Sequence, residues 1–206
     1  MSRFPLVMRS ALCLTVLACC LALPGRAPAT ADDPAARAAL IAALERLAAA
    51  SSYRASIEDD ADGPTRIELV FVAPDRLRAR TAEGVQTLIG SEVYLEIDGQ
   101  VHRQAVPPGA LDGLRGQWSH AVRMLQMPGM RVVAEPLEPG DAPGARRVRA
   151  RWAGGEGFAR VLLVDGHPVQ VDLHEGDARQ TGVTRMRYSA INDPALRIEA
   201  PVEGRR

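Results

Sequence analysis

The sequence contains no lysine, and it contains no cysteine after residue 20. Without lysine, the glycine-rich stretch 154–157 cannot act as a phosphate-binding loop, because such a loop needs a lysine directly after its last glycine. Without cysteine, the chain beyond residue 31 can form neither a disulfide framework nor a cysteine-based zinc site. A hydrophobic core must therefore supply the stability of that part of the chain.

The residue patterns of common metal and catalytic sites are also missing. The four histidines, at positions 102, 120, 167 and 174, form neither of the helical zinc-binding spacings. The acidic stretch 59–63 lacks the spacing of a calcium loop, and no serine stands in a G-x-S-x-G turn. We therefore expect surface histidines, an acidic turn, no metal, no cofactor and no enzymatic activity.

Long apolar runs are confined to the first residues. The run 11–23 follows a basic segment with Arg3 and Arg9, and Ala29-Thr30-Ala31 is typical of a signal-peptidase cleavage site. The run is too short for a membrane-spanning helix, which needs roughly 20 apolar residues. We predict a signal peptide over 1–31 and export to the periplasm. Cys19 and Cys20 leave an alternative, a lipid anchor on one of them.

The charge of the remaining chain is nearly balanced. Three of the 25 basic residues, and none of the 25 acidic ones, precede residue 32, so residues 32–206 carry a formal charge of 22 − 25 = −3. A chain without a basic excess has no overall attraction for nucleic acid. We expect no nucleic-acid partner.

Helical periodicity occurs in two segments. Asp33 and Pro34 are good residues for a helix start, and Leu40, Leu44 and Leu47 then fall on one face, which predicts a helix over 34–50. The segment 110–127 has a second apolar face, weakened by two glycines, and predicts a helical insertion. Both faces need a sheet or another helix to lie on, because isolated helices of this length are marginal.

Between and after these segments the apolar residues alternate with polar ones. This period of two predicts an antiparallel meander with one buried face and one solvated face. A sheet of about ten strands must curl unless it is closed or covered. We therefore predict an α+β domain over 32–206, a curved antiparallel sheet that forms an incomplete β-barrel, covered by the N-terminal helix and the central insertion. The predicted strands are 53–59, 65–72, 76–81, 84–90, 92–97, 145–152, 158–164, 168–174, 182–189 and 196–200.

The stretch VAPDRLRAR (72–80) indicates which side of this sheet is inside. Period two places Leu77 and Ala79 on one side and Arg76, Arg78 and Arg80 on the other. We predict that the arginines lie on the solvated, convex face and pair across strands with Glu68, Glu92 or Glu96. The alternative is a site for an anionic headgroup or partner.

Several stretches resemble the periplasmic lipoprotein carrier LolA and its relatives. These are VFVAPDRLRAR, the hairpin VQTLIGSEVYLEIDGQVHRQ before the helical insertion, the later hairpin VLLVDGHPVQVDLHE, and the closing RMRYSAINDPALRIEAP. The resemblance spans roughly residues 34–201. It implies an unclosed β-barrel whose apolar concave face, covered by helices, holds acyl chains. The relatives include mycobacterial lipid-handling lipoproteins and the periplasmic regulator RseB.

From this resemblance we expect a periplasmic lipid- or lipoprotein-binding carrier, with a lipid or acylated protein as ligand and a membrane-associated donor or acceptor protein as partner. The alternative is an interaction or sensor module of the RseB type that binds a protein and holds no cargo. Methionines 124, 127 and 130 suit a helical cover over flexible chains, although plain core packing also explains them. The expected ligand-binding residues are Leu69, Phe71, Leu77, Ile89, Leu95, Val171 and Met186 on the sheet, with Trp118 and Leu125 on the cover.

Overall fold

A computed structural model describes residues 31–59, 65–107, 109, 111–152, 155, 157–177 and 180–201. The predicted signal peptide, its cysteines, and the turn around Asp62-Gly63-Pro64 lie outside the described residues, apart from Ala31. Helix α1 (Pro34–Ala48) confirms the first helical prediction. Its start is capped by Asp33, whose Oδ1 accepts hydrogen bonds from the backbone N–H groups of Ala35 and Ala36 at 2.9 and 3.0 Å.

Eleven antiparallel strands form one sheet in the order β6-β5-β4-β3-β2-β1-β11-β10-β9-β8-β7. The first and last strands therefore pair at its centre, and β6 and β7 form its two edges. The fold is the predicted open α+β half-barrel. The strands are β1 (Ser52–Asp59), β2 (Thr65–Val72), β3 (Arg76–Thr81), β4 (Gly84–Ile89), β5 (Glu92–Ile97), β6 (Gln100–Ala105), β7 (Met130–Glu135), β8 (Arg146–Trp152), β9 (Phe158–Val164), β10 (His167–Asp177) and β11 (Gln180–Ser189).

Two tight hairpins match their sequence signals. Asp98-Gly99 joins β5 to β6, and Asp165-Gly166 joins β9 to β10, with φ values of 51° and 75° in the first pair and 50° and 74° in the second. Two consecutive residues with positive φ match the right-handed twist of a hairpin, and Asp-Gly adopts this conformation readily. These turns set the register of both hairpins.

Three predictions about strands need correction. Strands β6 and β7, at the two edges of the sheet, were not predicted, because β6 is mostly polar and exposed and the adjacent Val132 and Val133 blur the alternation of β7. The predicted strand 196–200 is wrong, and this stretch has no regular secondary structure. It lies against β3, where Arg76 Nη1 donates to the Ile198 carbonyl at 2.7 Å. Since β2 and β4 already occupy both edges of β3, the stretch crosses the sheet face and cannot extend the sheet.

Helix α2 (Asp112–Gln126) is the predicted central insertion and packs against α1. The contacts of the two helices with the sheet are concentrated on β7, β9 and β10. Arg37 of α1 ties this arrangement together, since its guanidinium donates to the carbonyls of Leu125 and Met130. The helices therefore cover chiefly the half of the sheet that the later strands form.

The arginines of β3 lie on the convex face, as predicted from period two. Leu77 and Ala79 pair with Phe71 and Leu69 on the concave side, so the side chains at 76, 78 and 80 point to the opposite side. Arg78 forms an ion pair with Glu96 at 3.6 Å, which confirms one of the predicted partners. The row thus lies on the face opposite the apolar concavity, and Arg76 and Arg78 have partners within the chain.

Candidate functional site

The concave face is apolar across the whole centre of the sheet. Ala55 of β1 lies between Leu69 of β2 and Tyr188 of β11 in the strand register, and Ile57 lies between Ile67 and Met186. Because successive strands keep this register, the inward-facing side chains form continuous rows from one strand to the next. The rows give the centre of the concavity, across β1, β2 and β11, a hydrophobic lining.

The half of this face under the helices is closely filled. We call the concave side of β7–β11 the covered half. Its Val132 and Val148 are 0% and 1% exposed, and the helix residues Ala43 and Leu47 above it are equally buried. Such packing leaves no room for a ligand without movement of the helices.

The other half, on β2–β6, has two parallel rows that differ in exposure. The first row, which we call the closed row, contains Phe71, Leu77, Leu88 and Val93, in register across β2–β5. All four belong to the main apolar cluster or pack against it, and only Leu77 is not fully buried. This row continues the core of the covered half towards the edge.

The second row, which we call the open row, starts beside buried Leu69 and runs towards the edge strand. It contains Ala79, Gln86, Leu95 and His102, again in register across β3–β6. The first three are half-buried and His102 is exposed. Ile97, next along β5 on the same side, is 43% exposed although it is a large apolar residue. The open row is thus a partly accessible entrance to the apolar face.

A cluster of aromatic rings fills the centre of the concavity beneath α2. Trp118 of α2 contacts Tyr188 edge-to-face with ring centroids 5.7 Å apart, and Tyr188 contacts Tyr53 at 5.9 Å. Burial raises the pKa of Tyr53 to about 12, and a hydrogen bond with the Trp118 side chain opposes that rise. The Trp118 indole nitrogen nevertheless has no well-formed hydrogen bond within the described residues. Burial also raises the pKa of Tyr188 well above its usual value.

Eight of the nine predicted ligand-binding residues lie in or against one apolar cluster. Trp118 and Leu125 of α2 face the sheet, and both are 4% exposed. Of the sheet residues, Leu95 lies in the open row, and the others lie in the closed row or deeper in the core. These are Leu69, Phe71, Leu77, Val171 and Met186. Their role in binding stays a prediction.

The placement of Ile89 on the concave face is wrong. Ile89 pairs with Arg76 and Glu92, which belong to the convex face, whereas its neighbour Leu88 pairs with Leu77 and Val93. The stretch 88–89 has two consecutive large apolar residues, so alternation alone does not tell which of them points inward. The convex face here is covered by the stretch 196–198, whose Leu196 and Ile198 are buried outside the main cluster.

Sequence reasoning missed the polar members of the open row. Gln86 and His102 are not apolar, so a search for hydrophobic lining passes over them, although the strand register places them beside Leu95. Tyr53 and Tyr188 were missed because a tyrosine at a strand end is equally typical of a solvated face. Pairing of β1 with β11, which no local pattern reveals, brings the two rings together.

Metal-binding clusters and membrane-spanning helices are both missing from the described residues. In the ranges given above, no three histidine or carboxylate side chains lie close enough to hold a metal ion. None of the described helices has the length and apolar character needed to cross a membrane.

An open antiparallel sheet with an apolar concave face and a helical cover is the LolA-like half-barrel fold, and the chain has this fold. Neither a sequence family nor a curated protein matches the chain. Among solved structures it is similar to the lipoprotein LppX of Mycobacterium tuberculosis, with a TM-score of 0.53, 12% identity and coverage of 80% of this chain and 98% of LppX. It is also similar to LprF of Mycobacterium bovis, with a TM-score of 0.60, 10% identity and coverage of 85% and 100%.

Proposed function

We propose that the protein binds the acyl chains of a lipid or an acylated protein on its apolar concave face and carries them between membrane-associated partners. The open row is the observation that supports this most directly, because it leaves part of the concave face accessible at the apolar side chains of Leu95 and Ile97. Contiguous exposed apolar surface on a folded protein usually marks a site of interaction or ligand binding. The proposal is for a binding protein and not for an enzyme.

The composition of the site suits acyl chains better than a rigid ligand. Its accessible walls are aliphatic, and Met124 of the cover packs against the apolar cluster while Met127 is 46% exposed. Methionine is flexible and adapts to irregular apolar shapes. Gln86 on β4 adds a hydrogen-bonding group within the row, and His102 adds one on the edge strand β6, where the polar end of a lipid would remain in water.

Binding of a long chain requires more room, and α2 is the element best suited to move. Its first residues have no side-chain cap, in contrast to α1. Gly113 and Gly116 lie within it, and each glycine destabilises a helix by about 1 kcal/mol relative to alanine. We infer that α2 lifts from the concavity, taking Trp118 and Leu125 with it, while α1 stays fixed.

The location of this activity follows from the predicted leader. Export through residues 1–31 would bring the protein to the periplasm, where carriers of acylated molecules act between two membranes. Anchoring through Cys19 or Cys20 would instead hold the protein on a membrane. Mass spectrometry of the mature N-terminus distinguishes the two forms.

Native mass spectrometry and lipid extraction of the protein purified from its own cell envelope test the proposal. We expect co-purified lipid with the wild type and a loss of at least tenfold with Leu95→Arg, which places a charge in the open row. Val101→Arg is the matched control, because Val101 is half-buried on the convex side of the edge strand β6. A lipid-free wild type, or equal lipid in both variants, would contradict the proposal.

The close packing of the covered half favours a second candidate, a protein-binding module of the RseB type without cargo. In that function the buried side chains of the cover serve only stability, and a partner protein binds the outer surface. A lipid-free protein that keeps the fold would support it. Crosslinking in the intact cell envelope would then identify the surface that the partner contacts.

A further inference from the structure

A separate cavity lies on the flank of the molecule, away from the open row. It has a volume of about 440 Å³ and lies between the outer side of α1, the start of β8 and the β9–β10 hairpin. Small-molecule sites in proteins usually have volumes of roughly 300–1,000 Å³. The lining residues are Ala39, Ala42, Arg46, Gly144, Arg146, Leu163, Asp165 and Gly166.

Two arginines give this cavity its chemical character. Arg46 enters from α1 and donates from Nη1 to the Gly166 carbonyl at 2.8 Å, which orients the guanidinium and leaves other N–H groups available. Arg146 enters from β8, and the structure gives its side chain no hydrogen bond or ion pair with any described residue. The glycine at 166 permits the contact, because a Cβ there would collide with the Arg46 guanidinium.

The arginines on the convex face of the same strands contrast with Arg146. Arg147 binds Asp141 at 2.7 Å, Arg149 and Arg160 both contact Glu135 at 3.2 and 3.0 Å, and Arg185 binds a carboxylate at 2.8 Å. These four convex arginines thus have carboxylate partners within the chain, whereas Arg151 donates to the Gly155 carbonyl. Asp165 is the carboxylate at the cavity, and its positive φ of 50° gives it a structural role in the hairpin turn.

The remaining walls of the cavity are apolar and small. Ala39 and Ala42 lie one turn apart on α1 and expose only methyl groups, and Leu163 forms the floor. Leu163 pairs with Arg146 across β8 and β9 and belongs to the main core. The cavity therefore combines two arginines and one carboxylate, which leave its lining net positive, with an apolar base, and this combination suits an anionic group attached to a carbon chain.

We propose that this cavity binds a phosphate ester, with the phosphate on Arg46 and Arg146 and the attached carbon atoms on the alanines and Leu163. Guanidinium groups bind phosphate with paired, charge-assisted hydrogen bonds, and arginine is suited to this geometry. The phosphate comes either from a lipid headgroup or from a small phosphate compound. This site goes beyond the proposed acyl-binding function, because none of the open-row residues takes part in it.

Isothermal titration calorimetry of the full-length protein tests the proposal with three probes. Decyl phosphate, below its micelle concentration, carries both the anion and the chain. Inorganic phosphate carries only the anion, and decyl maltoside carries only the chain. We expect decyl phosphate to bind at least tenfold more tightly than decyl maltoside, with an affinity that falls as salt is added, because exposed cations are screened.

Variants distinguish this cavity from the concavity. Arg146→Gln should weaken decyl phosphate binding about tenfold, and Ala42→Leu should block it by filling the cavity without a change of charge. Arg54→Gln, on the exposed convex side of β1, should leave it unchanged. Inorganic phosphate that competes at equal concentration would identify free phosphate compounds as the ligand, and weak competition would identify a lipid headgroup.

Two results would overturn the proposal. One is decyl phosphate binding that is unchanged in both Arg146→Gln and Ala42→Leu. The other is no difference between decyl phosphate and decyl maltoside in the wild type. Because Leu95→Arg tests acyl binding in the open row, either proposal can fail while the other stands. Thermal unfolding of each variant checks that the fold is retained.

Discussion

The two halves of the concave face are built from the same kind of strand but differ in what covers them. The covered half lies under both helices, and its inward residues, such as Val132 and Val148, are almost completely inaccessible. Across β3–β6 no other described residues cover the open row comparably, and its side chains stay half-buried or exposed. The difference suggests a division of labour, in which one half supplies stability and the other supplies an accessible apolar surface.

The sharpest test of this comparison places the same charge at a buried position and at a half-buried position of the concave face. Leu69→Arg should lower the free energy of unfolding by about 4 kcal/mol or more, because Leu69 is buried in the main cluster and the charge would have no partner. Leu95→Arg should cost about 1 kcal/mol or less, because its side chain can reach water. Urea unfolding measures both. Equal losses would mean that the open row is as closely packed as the core.

Removal of the central aromatic ring of the cover should have the next largest effect. Trp118→Ala should cost about 3–5 kcal/mol, since it leaves a large cavity above Tyr188. Arg123→Ala, at an exposed position of the same helix, should change stability by less than about 0.5 kcal/mol. A small effect of Trp118→Ala would indicate that α2 is already detached from the sheet in solution.

An ion pair stabilises the edge of the covered half, and its contribution to the free energy of unfolding depends on pH. The Arg147 guanidinium beside Asp141 holds the pKa of this carboxyl below its usual value. The ion pair therefore stabilises the fold above the usual pKa of an aspartate, and the stabilisation is lost as the pH falls through the lowered value.

Asp141→Asn should accordingly reduce the free energy of unfolding at pH 7, and the difference from the wild type should shrink as the pH approaches 3. Glu68→Gln is the control, because Glu68 pairs with Arg66 on an exposed surface. It should have little effect at either pH. A difference for Asp141→Asn that stays constant down to pH 3 would mean that the ion pair does not stabilise the loop before β8.

The smallest effect is expected on the convex face of the open half. Arg78→Gln removes the ion pair with Glu96, in which the two side chains are 43% and 30% exposed. Exposed pairs contribute about 0–1 kcal/mol, so we expect a loss of less than about 0.5 kcal/mol in urea unfolding. A larger loss would show that this row is part of a binding or structural network, contrary to the solvated face inferred from its spacing.

Local patterns were sufficient for most elements of the fold. The cap at Asp33, the alternation around Leu69 and the Asp-Gly turn at 165–166 each depend on neighbouring residues, and the structure confirms the elements that they predict. The two edge strands were missed for different reasons, because β6 is mostly polar and exposed whereas β7 has two adjacent valines at 132 and 133. The stretch 196–200 resembled a strand, but its apolar residues cover the convex face.

The candidate site was harder to predict from the sequence, because it depends on which half of the concave face the helices cover. The spacing of Leu77, Leu88 and Leu95 predicts which face of the sheet their side chains lie on, but not how exposed those side chains are. Exposure follows from the position of α1 over β9 and β10, a contact between distant parts of the chain. The flank cavity is a still clearer case, since Arg46 and Arg146 are separated by most of the sheet in sequence and meet only in the folded chain.

The strand order has a consequence for how this fold can vary. Since β6 and β7 are consecutive in the chain and form opposite edges, residues 106–129 alone bridge the gap where a closed barrel would have its last pair of strands. An insertion or deletion in this bridge would widen or narrow the gap between the edge strands β6 and β7 without breaking any strand pair. Related chains can therefore differ in the width of this gap through changes in one loop and one helix, while the sheet stays the same.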